Sequence, residues 1–255
     1  MAFENMQNKR ILLKIGGSIV TDKSSETPSL NAPLMQEYVS LIAEEWNELK
    51  GRLVLISGGG SFGHPTVRRA KFQSSLTTSM YSLKTSWVQM FSDVGIKAFP
   101  MQITKPEDYQ YVHKICDMGI LPILTCEYVF NGNNEILISS DLVPSFLANT
   151  NTRVIIKTNV NGVLNYKKGE TIRAIADQEI SEIIRKNIES CDPYDVTGGM
   201  GGKLKSLSHV TKKGAQAFIM NGNPTPDSIS QYLSHPEQWV TKEPYTLVQS
   251  SGYVG

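Results

Sequence analysis

The stretch Ile56-Ser57-Gly58-Gly59-Gly60-Ser61-Phe62-Gly63-His64 follows directly on the apolar run Leu53–Ile56. A short apolar run that ends in glycines reads as a buried strand with a tight turn at its carboxyl end. The arrangement has a counterpart nearer the N-terminus. There Leu13-Lys14-Ile15-Gly16-Gly17-Ser18 closes the run Ile11–Ile15, and Lys23 follows a little further on. Glycines at such a strand end let backbone N–H groups approach oxyanions closely, and a helix starting there adds its dipole. Two such turns in one chain imply two phosphates held face to face. That is the geometry of phosphoryl transfer.

Working outward, strand-like runs alternate with segments of helical period. Strands are predicted at Arg10–Ile15, Leu53–Ser57, Lys97–Gln102, Leu121–Thr125, Val154–Thr158 and Ala217–Met220. Helices are predicted from Pro33 to Lys50, Met80 to Gly95, Asp108 to Gly119 and Gly202 to Gly214. Alternation with short connections implies an α/β fold, a mostly parallel sheet covered by helices on both faces. Val129–Ile138, with Asn131-Gly132-Asn133-Asn134 at its middle, reads as an inserted β-hairpin. The whole chain, 1–255, reads as a single domain, with a weak division at the polar turn Asn149-Thr150-Asn151-Thr152.

Composition excludes several classes. Apolar residues make up 40% and charged residues 19% of 255, as in ordinary globular enzymes. A formal net charge of +1 gives no global attraction to nucleic acid or an anionic membrane, so anion recognition is local. Cys116, Cys126 and Cys191 lack metal-ligand spacing and read as reduced thiols of a cytoplasmic protein, with no metal site implied. The polar start, Met1 to Arg10, reads as no signal peptide, and no apolar run approaches the ~20 residues that span a bilayer.

Gly58 to Gly63 also fits the GxGxxG dinucleotide fingerprint, which requires an acidic residue about 20 positions on to hold a ribose. From His64 to Ser92 there is no Asp or Glu, whereas Arg68, Arg69, Lys71 and Lys84 are basic. An anion pocket fits that stretch better. The Walker spacing GxxxxGK[ST] is absent, and Lys14 precedes its glycine pair instead. A lysine within an apolar strand is costly to bury unpaired, so Lys14 is read as a cation aimed at phosphate oxygens. Ser139-Ser140-Asp141 reads as an N-cap for a helix Leu142–Leu147 as well as a ligand contact. Thr197-Gly198-Gly199-Met200-Gly201-Gly202-Lys203 is a third glycine-rich turn leading into a helix.

Taken together, the segments at 14–18 with Lys23, 58–64 and 197–203 resemble the amino acid kinase superfamily, within it the branch of fosfomycin kinase and isopentenyl phosphate kinase. The resemblance runs from about Arg10 to about Gln238. It implies an open αβα sandwich, with an acceptor-binding part over 1–150 and a nucleotide-binding part over 151–255. It also implies ATP and Mg²⁺, a small phosphate or phosphonate acceptor, and a homodimer. By the same resemblance Lys14 and Lys203 hold ATP phosphates, Lys23 stabilises the transferring phosphoryl group, and His64 orients the acceptor oxyanion. Gly59 and Gly60 line the seam between acceptor and γ-phosphate, and Gly16, Gly17, Ser18, Thr158, Asn159, Gly162, Val163, Gly198 and Gly199 join the nucleotide site. Ser139, Ser140, Asp141 and Thr197 join the acceptor site.

One departure stands out. The branch usually carries Thr-Asp-Val-Asp-Gly where this chain has Thr158-Asn159-Val160-Asn161-Gly162. Asn159 is then expected to lie between Lys14 and Lys203 and to orient both through its carbonyl oxygen. Among acceptors, a small phosphonate is favoured over isopentenyl phosphate. Trp87, Met90 and Phe91, and the run Ala98 to Gln102, are similar to fosfomycin kinases. The rival of another class is a nucleotide- or anion-binding protein with little or no turnover.

Overall fold

Strand β1 (Arg10–Ile15) is buried over most of its length, and its alternation sorts the core into two layers. Ile11, Leu13 and Ile15 face one set of helices, while Leu12 belongs to the core on the opposite side. The computed structural model describes residues 9–22, 25, 27–63, 73–165, 169–187, 199–223 and 244–251. Its other strands are β2 (Leu53–Ser57), β3 (Ala98–Pro100), β4 (Leu121–Leu124), β5 (Glu127–Asn131), β6 (Asn134–Ile138), β7 (Thr152–Thr158), β8 (Ala174–Ala176), β9 (Gln216–Asn221) and β10 (Tyr245–Gln249). Eight of them form one sheet in the order β3-β4-β2-β1-β7-β9-β10-β8, and β5 pairs with β6 as a separate hairpin. Every pairing from β3 to β9 is parallel, and β10 runs antiparallel to β9.

The first core layer lies under α2 (Ala32–Glu44) and α4 (Gln73–Asp93), with the short α1 (Gly17–Val20) and α3 (Trp46–Leu49) beside them. The second lies under α5 (Tyr109–Asp117), α6 (Val143–Leu147), α7 (Ile180–Asn187) and α8 (Gly199–Thr211). Helices on both faces of a mostly parallel sheet give the αβα sandwich implied by the sequence. The sheet continues through the polar turn near position 150, since β1 pairs with β7 from Arg10↔Thr152 to Ile15↔Lys157.

Several elements differ from the sequence reading. The helix predicted from Pro33 to Lys50 breaks at Glu45 into α2 and α3. The strand predicted over Lys97–Gln102 keeps only three residues, because it is an edge strand paired on one side by β4. Helix α8 begins at Gly199 rather than Gly202. Strands β8 and β10 and helix α7 had not been anticipated. The N-cap of α6 is Leu142, with no side-chain cap bond, so the capping role expected of Ser139-Ser140-Asp141 is not realised. The Ser139 carbonyl instead accepts from the N–H groups of Leu142 and Val143, at 2.9 and 3.2 Å.

Lys84 is also corrected. It is not part of an anion-attracting surface but is fully buried in α4, where its ammonium pairs with Glu127. It donates further to the Met101 carbonyl at 2.7 Å and to Gln102 Oε1 at 3.2 Å. Burial pushes the Glu127 carboxyl up, while Lys84, Gln102 and Thr125 pull it back down. Lys84→Met leaves Glu127 buried without its cation and is expected to destabilise the fold by about 3–5 kcal/mol. Adding Glu127→Leu should recover most of that loss in a urea titration, and a double variant no better than the single would contradict the pairing.

Candidate active site

The first amide of each turn continues the sheet ladder beyond the strand that ends there. Gly58 N–H donates to Ile15 O (2.8 Å), Gly16 N–H to Lys157 O (2.9 Å), and Gly222 N–H to Thr158 O (2.7 Å). The carboxyl ends of four adjacent strands, β2, β1, β7 and β9, therefore open side by side. In open parallel sheets a ligand crevice forms outside such strand ends.

The two glycine turns lie against each other. A Cβ on Gly17 would sit 2.3 Å from Gly60 N, and one on Gly58 would sit 2.2 Å from Gly17 N. Side chains at these positions would hold the turns apart. Among the described residues, the N–H groups of Gly17, Ser18, Gly59 and Gly60 have no acceptor in the protein. They are donors available to an oxyanion.

A cavity of ≈ 230 Å³ opens over these turns. Lys14, Gly16, Gly17 and Ser18 line it from the first turn, and Gly58, Gly59 and Gly60 from the second. Thr158, Asn159 and Val160 contribute from the end of β7, Ser140 and Asp141 from the turn before α6, and Gly199, Met200 and Lys203 from the start of α8. Gly162, Val163 and Ser139 are not among the lining residues. Gly162 and Val163 pack under β10, where Val163 N–H donates to Thr246 Oγ1 at 2.8 Å. Lys23, His64, Thr197 and Gly198 lie outside the described residues.

The electrostatic centre of the cavity is Asp141. Its Oδ1 accepts from Lys14 Nζ at 2.5 Å and its Oδ2 from Lys203 Nζ at 3.3 Å. Lys14 is 3% and Asp141 4% exposed, so the pair is buried at the cavity floor. Burial raises the Asp141 carboxyl, but the charges and hydrogen bonds of Lys14 and Lys203 outweigh it and hold it at about 2. The expectation for Asn159 is thereby corrected, because the group between the two lysines is Asp141. Asn159 is exposed, and its only side-chain hydrogen bond among the described residues comes from Thr158 Oγ1 at 3.3 Å. Lys14 points this way because it shares the face of β1 occupied by Leu12, toward α6 and α8.

Sequence reasoning also passed over Thr21, whose hydroxyl donates to Gly17 O at 2.7 Å and accepts from Ser61 N–H at 2.9 Å. A buried hydroxyl a few residues past a glycine turn gave no periodic signal to find it by. The described residues hold no group of three or more His, Cys, Asp or Glu that would cage a metal. Asp141 has both oxygens engaged by lysines, so the described residues do not fit a protein-held cation.

The model of the amino acid kinase family matches residues 9–221, and the chain belongs to that family. It is an ATP-dependent kinase. The chain is 28% identical to isopentenyl phosphate kinase of Methanothermobacter thermautotrophicus, over 88% of this chain and 94% of the relative. It is 25% identical to isopentenyl phosphate kinase of Methanocaldococcus jannaschii, over 83% and 90% respectively. In fold it is similar to the product complex of T. acidophilum isopentenyl phosphate kinase, with TM-score 0.68, 17% identity and coverage of 94% of this chain and all of that one. No helix among the described residues is long and apolar enough to cross a membrane.

Proposed function

We propose that the chain transfers the γ-phosphoryl group of ATP to a terminal oxygen of a small organic phosphate of the isopentenyl phosphate type. The acceptor oxygen forms a new bond to the γ-phosphorus, the bond to the β,γ-bridging oxygen breaks, and ADP leaves with that electron pair. The product is a phosphoanhydride. The observation that carries this reading is the convergence of Lys14, Lys203 and two touching glycine turns on one cavity.

Phosphoryl transfer asks a protein for positioning and for neutralisation of spread-out negative charge. Lys14 and Lys203 would meet nucleotide phosphates, held in place by Asp141. The free amides of Gly17, Ser18, Gly59 and Gly60 would meet phosphoryl oxygens. Lys23 would neutralise charge on the group in flight, and His64 would donate to the acceptor oxyanion. Mg²⁺ would arrive on the nucleotide, since this ion keeps several waters and is usually bound through substrate phosphates. The order of acceptors favoured by the sequence is reversed here, because relatives similar over nearly their whole length act on isopentenyl phosphate. The non-catalytic rival, suggested by asparagine at 159 and 161 where the branch usually carries Asp, is disfavoured because a carboxylate, Asp141, does stand between the two lysines.

Incubation with Mg-ATP and a panel of alkyl phosphates and phosphonates, followed by ³¹P NMR, tests the reading. Diphosphate signals are expected from isopentenyl phosphate. Signals from phosphonates alone would restore the other acceptor, and none at all would overturn both acceptors. In the same assay His64→Ala should raise the acceptor KM roughly 10-fold or more, the scale of one hydrogen bond to a charged group. The KM for ATP should stay within about threefold. Equal damage to both would contradict the assignment of His64 to the acceptor.

A further inference from the structure

Two buried hydroxyls stand outside the phosphate-contacting set, and between them they join three segments of the site. Thr21 is 3% exposed and Ser61 is fully buried. Thr21 Oγ1 donates to the Gly17 carbonyl of the first turn (2.7 Å) and accepts from the Ser61 amide of the second (2.9 Å). Ser61 Oγ in turn donates to the Ser29 carbonyl (3.2 Å) and accepts from the Ser29 amide (3.0 Å). Ser29 is the far end of a loop whose near end is Thr21. The ends are closed on each other by a Thr21↔Leu30 bridge and by Asp22 N–H donating to Ser29 O at 3.2 Å.

We propose that Thr21 and Ser61 are positioning residues that lock the two glycine turns and the stem of the 22–29 loop into one rigid unit. This rests on the transfer proposed above, in which the amides of both turns meet phosphoryl oxygens and Lys23, two residues after Thr21, neutralises the group in flight. Neither hydroxyl needs to touch a substrate. Their effect is on the distance between acceptor, γ-phosphate and the loop, and a misplacement of about 1 Å between reacting groups lowers rate about 100-fold. Thr21 is suited to the task because one hydroxyl donates to one turn while it accepts from the other. There is no space for slack, since a Cβ on Gly60 would lie 1.8 Å from Thr21 Oγ1.

The test compares Thr21→Val, which keeps the shape and removes the hydroxyl, with Thr21→Ser, which restores it, and with Ser61→Ala, which keeps the Thr21–Ser61 amide bond but frees Ser29. Steady-state kinetics, binding of a non-hydrolysable ATP analogue, and amide hydrogen exchange at Ser61 and Ser29 are measured on each. Thr21→Val should lower kcat about 100-fold while analogue affinity stays within about threefold, and Thr21→Ser should recover most of that loss. Ser61→Ala should lower kcat by about 10-fold and release the Ser29 amide while Ser61 stays protected. Loss of kcat only in proportion to loss of folded protein, or a Thr21→Val enzyme within threefold of wild type, would overturn the proposal. The exchange arm stands without turnover. If no acceptor of that panel is phosphorylated by the wild type, the proposed transfer fails, yet Ser61 protection lost in Thr21→Val and regained in Thr21→Ser still supports the lock. Unchanged Ser61 exchange in Thr21→Val would overturn the lock whatever the activity.

Discussion

Asp141→Asn is expected to reduce kcat by about 100-fold or more, the scale of removing a preorganised electrostatic group. The wild-type carboxylate holds two ammonium groups, from β1 and from α8, at 2.5 and 3.3 Å. Without its charge, Lys14 and Lys203 repel each other in a buried place where water screens them poorly. Breaking a buried pair by removing one partner costs about 3–5 kcal/mol, so thermal stability should fall as well. Added nucleotide should restore part of that stability, because phosphates supply the missing negative charge. The carboxylate also sets an acid limit. Its pKa in the folded protein, about 2, lies below the unfolded value. Its contribution is therefore complete above about pH 4 and disappears as pH falls toward 2, on the order of 2 kcal/mol. Acid titration of Asp141→Asn should lack that limb. Asn159→Asp should restore no activity to Asp141→Asn, since Asn159 stands at the exposed side of the cavity. Wild-type kcat in Asp141→Asn would remove Asp141 from the catalytic arrangement.

The legible part of the fold consisted of buried parallel strands. β1 and β2 are largely apolar runs, followed by glycine, and their ends agree with the sequence reading residue for residue. β8 hid in three residues, and β10 takes its place from its pairing with β9 on one side and β8 on the other. The hairpin was legible from Asn131-Gly132, where Gly132 does adopt a positive φ of 60°. At the site, glycines and lysines showed themselves in short motifs, but their partner did not. Asp141 lies 127 residues from Lys14 and 62 from Lys203, and before a helix it carried the local signature of a cap. Asn159 drew attention because it stands where the resembled branch usually carries Asp, and a one-dimensional pattern cannot tell the mouth of a cavity from its floor. Lys84 misled for the opposite reason. Its charge was visible, and the carboxylate that neutralises it, Glu127, belongs to a strand that follows another turn of the sheet.

Gly60→Ala is expected to be the most damaging single-methyl change in the second turn. Gly60 has φ +47°, in the left-handed region, and its added Cβ would lie 1.8 Å from Thr21 Oγ1 and 2.6 Å from Gly17 O. The backbone preference alone costs about 1–2 kcal/mol. The overlap must then be relieved by separating two turns that are each anchored at a buried strand end, so a total loss of several kcal/mol is expected. Gly59→Ala is the control one residue away. Its Cβ would meet the Cε and Sδ of Met80 at 3.3 Å, and a methionine side chain adjusts to such a contact. The control should therefore stay within about 1 kcal/mol of wild type. Urea titrations of the two proteins give the comparison directly. If Gly60→Ala is as stable as Gly59→Ala, the contact between the turns is not what demands glycine at position 60, and the need for an anion beside the backbone becomes the better account of the triplet. If the difference appears in the absence of any nucleotide, the glycines serve first to let one turn lie on the other. The proposed phosphate site is then a consequence of that contact, because amides kept from pairing within the protein are brought together where two backbones touch.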